Sequence, residues 1–265
     1  MVNAQNWLDT NIPFNQRGNV RKLCISKILP NSGEETQELQ EQNSRFFVLD
    51  DATRLKGNLD LSDFTNLEEV TIIHQLINYL VLTNCERLKV VDATNNLLKK
   101  VTWPERAPQL YSIHLGNNNF DTANLAEFSD FTELSTLFLG TNDSLRINQG
   151  IYNRWNGSLW YLKGLKKLND LDLNATDVEN GLEWLPISEN NMAYFTFGNK
   201  GRTNAKVDRL KETMEDDASL GEGETMEQWA ANEDFEYNFQ KIESIRSFQC
   251  YYAAEQLQNL APNLS

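Results

Sequence analysis

The chain carries two histidines, His74 and His114, and three cysteines, Cys24, Cys85 and Cys250. That is a small stock for acid–base, nucleophilic or metal chemistry. Two imidazoles without clustered Cys, Asp or Glu do not read as a zinc site. Cysteines that are few, scattered and odd in number fit a reducing compartment better than a disulfide framework. Ser112 stands two residues before His114, but a nucleophile needs oxyanion donors as well as a base, and its place offers no obvious ones. Dinucleotide, P-loop and nucleophile-elbow spacings are absent, and the Gly-Glu-Gly-Glu at 221–224 has neither a preceding strand nor a nearby lysine. The expectation is a non-enzyme with no catalytic residues, no metal ligands and no cofactor.

The side chains left to consider are those that grip other molecules. Tyr152, Arg154 and Trp155 lie within four residues of one another, and they are residue types enriched at binding hot spots. Asp92, His114, Phe138, Asp170, Asp172 and Tyr194 are scattered along the chain. They become a group only through the elements that carry them.

Those elements repeat. With Leu110 as position 1, "LYSIHLGNNNF" places apolar residues at positions 1, 4, 6 and 11 (Leu110, Ile113, Leu115, Phe120) and Asn118 at position 9. The template fits again from Leu67 (Val70, Ile72, Gln75, Ile77), Leu88 (Val91, Ala93, Asn96, Leu98), Leu134 (Leu137, Leu139, Asn142) and Leu168 (Leu171, Leu173, Thr176, Val178). A degenerate copy starts at Met192, and a partial one holds Val20, Leu23 and Ile25. Successive starts from Leu67 to Met192 are 21, 22, 24, 34 and 24 residues apart. All but the 34 lie in the range of leucine-rich repeats.

The LxxLxLxxNxL pattern resembles the leucine-rich repeat family over about residues 18–200. Two stretches, "AQNWLDTNIPFNQRGNVRKLCIS" and "INQGIYNRWNGSLWYLKGLKKLNDLDLNATDVENGLEWLP", resemble more closely the expanded leucine-rich-repeat family of arbuscular mycorrhizal fungi. The resemblance implies repeat-mediated recognition and names no ligand.

Each repeat then forms one turn of an α/β solenoid. Its short strands stack about 4.8 Å apart in a parallel concave sheet. The asparagine at position 9 turns inward to bond backbone groups that the chain orphans as it leaves the sheet. Asn118 is the expected rung, with Asn117 and Asn119 exposed; Gln75 and Thr176 make imperfect rungs. Leu125, Phe128 and Phe131, and again Leu159, Leu162 and Leu165, have helical spacing on the convex side. Helices are wider than strands, so the stack should curve with its strands inside. Outward positions 3 and 5 carry Asp92, His114, Phe138, Asp170, Asp172 and Tyr194 to the concave face. There Asp92 and His114 sit on neighbouring strands within reach of an ion pair. Exposed aromatics flanked by carboxylates suit a protein or peptide, of basic character where the acids make contact.

The domain plan reads as an N-terminal cap at 1–19 and repeats at 20–200 with insertions at about 30–45 and 144–158. An acidic helical C-terminal cap follows at 201–265. Asn3 is the expected cap of a helix that Pro13 ends. From residue 205 onward, 5 basic against 13 acidic residues leave a charge of −8. In the second insertion Tyr152, Arg154 and Trp155 have two readings: a ligand-binding loop, or packing on their own repeat. The formal net charge of −14 disfavours nucleic acid and anionic membrane as partners. No apolar run reaches the length of a membrane span and the start lacks a signal peptide's pattern, so a cytoplasmic location is expected. The sequence thus points to non-enzymatic protein or peptide recognition by a monomer through the concave face. The alternative is a scaffold or regulatory module acting through its C-terminal helices as a dimer or partner helix.

Overall fold

The structure, a computed structural model, describes residues 1–27, 43–186 and 192–210. The C-terminal helices expected beyond residue 210, and Cys250, lie outside the described residues. So does most of the first expected insertion.

The chain opens with β1 (Val2–Asn3), α1 (Ala4–Asn11) and α2 (Phe14–Arg17). The Asn3 side chain caps α1 by accepting from the Asn6 N–H at 2.9 Å, and Pro13 separates the two helices. Seven strands follow that start at the repeat positions: β2 (Lys22–Ser26), β5 (Glu69–Ile72), β7 (Val90–Asp92), β9 (Ser112–His114), β11 (Thr136–Phe138), β13 (Asp170–Asp172) and β15 (Tyr194–Thr196). An eighth, β3 (Ser44–Val48), joins the same parallel sheet outside β2, giving the order β15-β13-β11-β9-β7-β5-β2-β3. Position 4 of each turn stacks into one column: Leu23, Val70, Val91, Ile113, Leu137, Leu171 and Phe195 are Cα partners in sequence. All seven are buried. A side-chain period of two leaves positions 3 and 5 pointing away from this core. The result is a curved, leucine-rich-repeat-like solenoid of about seven turns.

The convex side differs from expectation in being nearly free of α-helix. In the first turns it is a second parallel sheet, ordered β1-β4-β6-β8, from β4 (Leu55–Asp60), β6 (Leu76–Val81) and β8 (Lys100–Thr102). Later it is a sheet of β10 (Ala123–Asn124), β12 (Trp155–Ser158) and β14 (Asp177–Asn180). Single 3-10 turns follow at Leu125–Phe128 and Leu159–Leu162. Leu125 and Phe128, like Leu159 and Leu162, are buried as the spacing requires. The i, i+3 spacing serves a 3-10 turn as well as an α-helix, and a repeat of 21 to 24 residues that spends chain on two strands has little left for a longer helix.

The polar rungs hold the two layers in step. Asn118 is fully buried. Its amide donates to Ala93 O at 2.9 Å, Leu115 O at 3.0 Å and Gly116 O at 3.2 Å, and its carbonyl accepts from Leu98 N at 2.9 Å. Asn96 repeats the arrangement one turn earlier, reaching Ile72 O at 2.6 Å and accepting from Ile77 N at 3.2 Å. Gln75 accepts from Leu55 N at 2.9 Å but donates only within its own turn, to Ile73 O. Thr176 reaches only Leu173 O. The residue before the rung turns the chain inward: His74, Asn95, Asn117 and Ala175 all take left-handed backbone, with φ of 57°, 59°, 52° and 57°. Asn tolerates that region, whereas His and Ala are strained there.

The fourth rung corrects the sequence reading. Asn142, the expected residue, is exposed. Asn153 is fully buried instead, donating to Leu139 O at 2.7 Å and Leu115 O at 2.9 Å and accepting from Phe120 N at 3.3 Å. The second insertion therefore occupies residues 142–152 rather than 144–158. Removing those 11 residues from the 34-residue repeat leaves 23, a regular length. Trp155, two residues past the rung, takes the place that Phe120 and Leu98 hold in earlier turns.

Candidate recognition surface

The outward positions of the concave sheet change character along the stack. At the N-terminal end they are charged and paired. Lys22 meets Glu69 at 3.5 Å, and nearby Glu68 lies 2.7 Å from Lys89 and 3.3 Å from Arg21. The Lys89 hydrogen bond holds the Glu68 carboxyl below its ordinary range. From β9 onward the surface turns aromatic. The rings of His114 and Phe138 meet edge to face, with centroids 4.9 Å apart and planes at 75°. Phe138 in turn lies 5.7 Å from Tyr194. Those two rings belong to β11 and β15, so they close over β13 between them. The outward residues of β13 are Asp170 and Asp172.

The two aspartates have different fates. Asp172 is 5% exposed, which removes it from the face a partner would touch. Its Oδ1 accepts from Asn174 N at 2.9 Å and from the Thr196 hydroxyl at 3.1 Å, and its Oδ2 accepts from the Asn142 amide at 2.7 Å. Burial nevertheless raises its pKa against those hydrogen bonds. Gly140 is needed beneath it, because a Cβ there would collide with the Asp172 carboxylate. Asp170 is half-buried and accepts one long hydrogen bond, 3.4 Å from the Thr136 hydroxyl. Burial raises its pKa too, with Thr136 and His114 opposing the shift.

The expected Asp92–His114 ion pair is not formed, although the two residues are Cα partners on adjacent strands. The imidazole turns along its own strand, and its Nε2 lies 2.9 Å from Ser112 Oγ. Asp92 accepts from Thr94 N at 3.0 Å. The Ser112–His114 contact has the geometry of a nucleophile and base, but the surrounding amides are already spent. Ser112 N donates to Lys89 O, Thr136 N to Tyr111 O and Leu115 N to Phe138 O. An oxyanion placed at Ser112 meets no free donor among these. No group of three or more His, Cys, Asp or Glu that could hold a metal occurs among the described residues.

The three insertion residues separate. Trp155 is fully buried on β12, with its ring 4.6 Å from Phe120 and 5.1 Å from Phe128. It is core, and as a ligand contact it is corrected. Strand alternation past the rung explains this: "N-R-W" repeats the "N-N-F" of the preceding turn, a signal that was present in the sequence. Tyr152 is part-exposed between two guanidiniums, Arg154 at 4.1 Å and Arg202 at 4.2 Å from its ring centroid. Burial alone would raise its phenol, but the two arginines outweigh it and leave the pKa lowered. Arg202, which sequence reasoning missed, is 5% exposed. It donates to Ala175 O at 2.8 Å and pairs with Asp177 at 2.7 Å. It thereby supplies, with a charged fork, the bonds that Thr176 is too short to make. The insertion's short helix α3 (Ser144–Asn148) is capped by Asp143, and Arg146 bonds Asn96 O across the rim.

No family model matches the sequence, and no curated protein matches it. Among solved structures, the chain is similar to the leucine-rich-repeat ectodomain of the receptor kinase SOBIR1 from Arabidopsis thaliana, at 18% identity and a TM-score of 0.34 over 54% of this chain and 63% of that one. It is also similar to an internalin (inlF) from Listeria monocytogenes, at 15% identity and a TM-score of 0.36 over 62% of this chain and 58% of that one. The chain thus spans less than two thirds of either structure. The solenoid rests on the strand register and rungs described above.

Proposed function

We propose that the protein is a non-enzymatic recognition module that binds a protein or peptide through the C-terminal half of its concave face. The observation that carries this reading is the aromatic strip of His114, Phe138 and Tyr194. Three rings in mutual contact stay partly open on a sheet whose other outward positions are mostly polar. Core packing does not require them there, because the inward column already fills the interior. Exposed rings with a polar surround are what partners use as anchors. Asp92 and Asp170 on the same face favour a basic segment. We place the chain in the cytoplasm, acting as a monomer, and keep its two quoted stretches with the fungal repeat family. Among the described residues no helix is long and apolar enough to cross a membrane.

A random peptide display library selected on the wild type and counter-selected on Phe138→Ala/Tyr194→Ala tests the reading. Enriched peptides should lose at least about tenfold in affinity on the double variant, about 1.4 kcal/mol, while its melting temperature stays close to wild type. Peptides that bind both proteins equally, or no enrichment at all, would overturn it.

A further inference from the structure

Most carboxylates along this face have a partner within the chain. Glu69 has Lys22, and Glu68 has Lys89 and Arg21. Asp172 has three donors. Asp170 stands apart. It is half-buried, yet only the Thr136 hydroxyl reaches it, at 3.4 Å, and no lysine or arginine among the described residues pairs with it. The groups around it are flat and unsaturated. Phe138 and Tyr194 close over its strand from either side, and Tyr194 is its Cα partner on β15. His114, held to Ser112, faces Phe138 from beyond. A carboxylate already partly stripped of water, framed by ring faces, is a receptor for a cation that is itself weakly hydrated.

We propose that Asp170 receives an arginine side chain from a protein partner, with the guanidinium lying against Phe138 and Tyr194 and its fork on the carboxylate. The proposal rests on the recognition reading above and deepens it. Arginine suits the niche better than lysine for three reasons. Its plane stacks on aromatic faces, its donors match both carboxylate oxygens, and it gives up water more readily than an ammonium group. The desolvation that raises the Asp170 pKa is an unfavourable cost in the free protein, and a bound guanidinium offsets it. The same cost implies that Asp170→Asn will fold normally, since it removes a charge the fold disfavours.

The test uses short capped peptides, Ac-Gly-Arg-Gly-NH2 and the same peptide with citrulline or lysine, titrated against the full chain while the ring resonances of His114, Phe138 and Tyr194 are followed by NMR. The arginine peptide should shift those resonances saturably in the millimolar range. The citrulline peptide should bind at least tenfold more weakly, and lysine should fall between them. Asp170→Asn should weaken arginine binding by a similar factor while leaving the melting temperature unchanged. Equal binding of arginine and citrulline, or full retention in Asp170→Asn, would overturn the arginine assignment. If such binding still depends on Phe138 and Tyr194, the recognition reading survives that result. A titration in which no concave resonance moves also overturns the assignment, and the library selection then decides the broader reading on its own.

Discussion

The two detours from the repeat leave the sheet at the same point and end differently. In regular turns five residues separate position 6 from position 11, as from Ile72 to Ile77 or Leu115 to Phe120. In the first turn Ile25 and Leu55 are 30 apart, and in the fifth Leu139 and Trp155 are 16 apart. The first detour has a free sheet edge beside it. It lays β3 along β2 in a five-residue register and returns through a turn in which Asp50 caps Thr53 N. The second lies inside the stack, where both neighbouring edges are already paired. With no strand to extend, it folds into a capped helical knob. Its neck is tied by Asn153 N donating to Thr141 Oγ1 at 3.0 Å, and its start by Asn142 N and Asp143 N donating to Asn117 Oδ1. What becomes of an insertion in a solenoid is decided by the backbone left unpaired next to it. In both cases the chain must return to satisfy the ladder.

Three measurements sharpen or break this contrast. The largest effect is expected where the second detour rejoins the core. Trp155→Ala should lose about 3–5 kcal/mol in denaturant melts, and a loss under about 1 kcal/mol would mean that the ring belongs to the detour and not to the repeat. Next, Asn153→Leu orphans Leu139 O, Leu115 O and Phe120 N, so it should cost about 3 kcal/mol. Asn142→Leu should cost well under half of that. Equal losses would return the rung to Asn142 and erase the 142–152 boundary. The smallest effect concerns the clasp between Asn142 and Asp172. Burial raises the Asp172 pKa above its ordinary value of 3.8. The folded state therefore holds a proton that the unfolded chain has lost, and stability falls as pH rises from near 3.8 through the raised value. Asp172→Asn should lack that fall. The difference between the two pH–stability curves isolates it from Asp9 and Glu68, whose pKa values are lowered and whose contributions slope the opposite way. Superimposable curves would mean that Asp172 is open to water and that the detour does not cover it.

The parts of this molecule legible in the sequence are those set by local periodicity. The position-4 column, the Asn96 and Asn118 rungs and the Asn3 cap each follow from residue type and spacing. The misreadings share a cause, which is that they depend on contacts between distant segments. Asn142 fits the template by count, and only the closed neck at Thr141 and Asn153 shows that the count is interrupted. Asp172 points outward as alternation demands, but outward is not exposed once another segment folds over it. His114 could face Asp92 or Ser112, and the choice is one of rotamer, which spacing does not encode. Asn117 looked like a solvated neighbour of the rung. It is instead half-buried, with its left-handed backbone aiming its side chain at the foot of α3.

The left-handed residue before each rung has a consequence for how such a chain can lengthen. It sits where the polypeptide has finished with one layer and has not yet entered the next, so length added there shifts no strand against another. Closing a loop twice as long costs only about 0.6 kcal/mol more. Slippage anywhere else in the repeat would invert a strand and turn its leucines to water. The solenoid therefore has one splice point per turn, and foreign peptide grafted between Asn95 and Asn96 would be displayed beside the concave rim as a side branch, with the stack on either side still in phase.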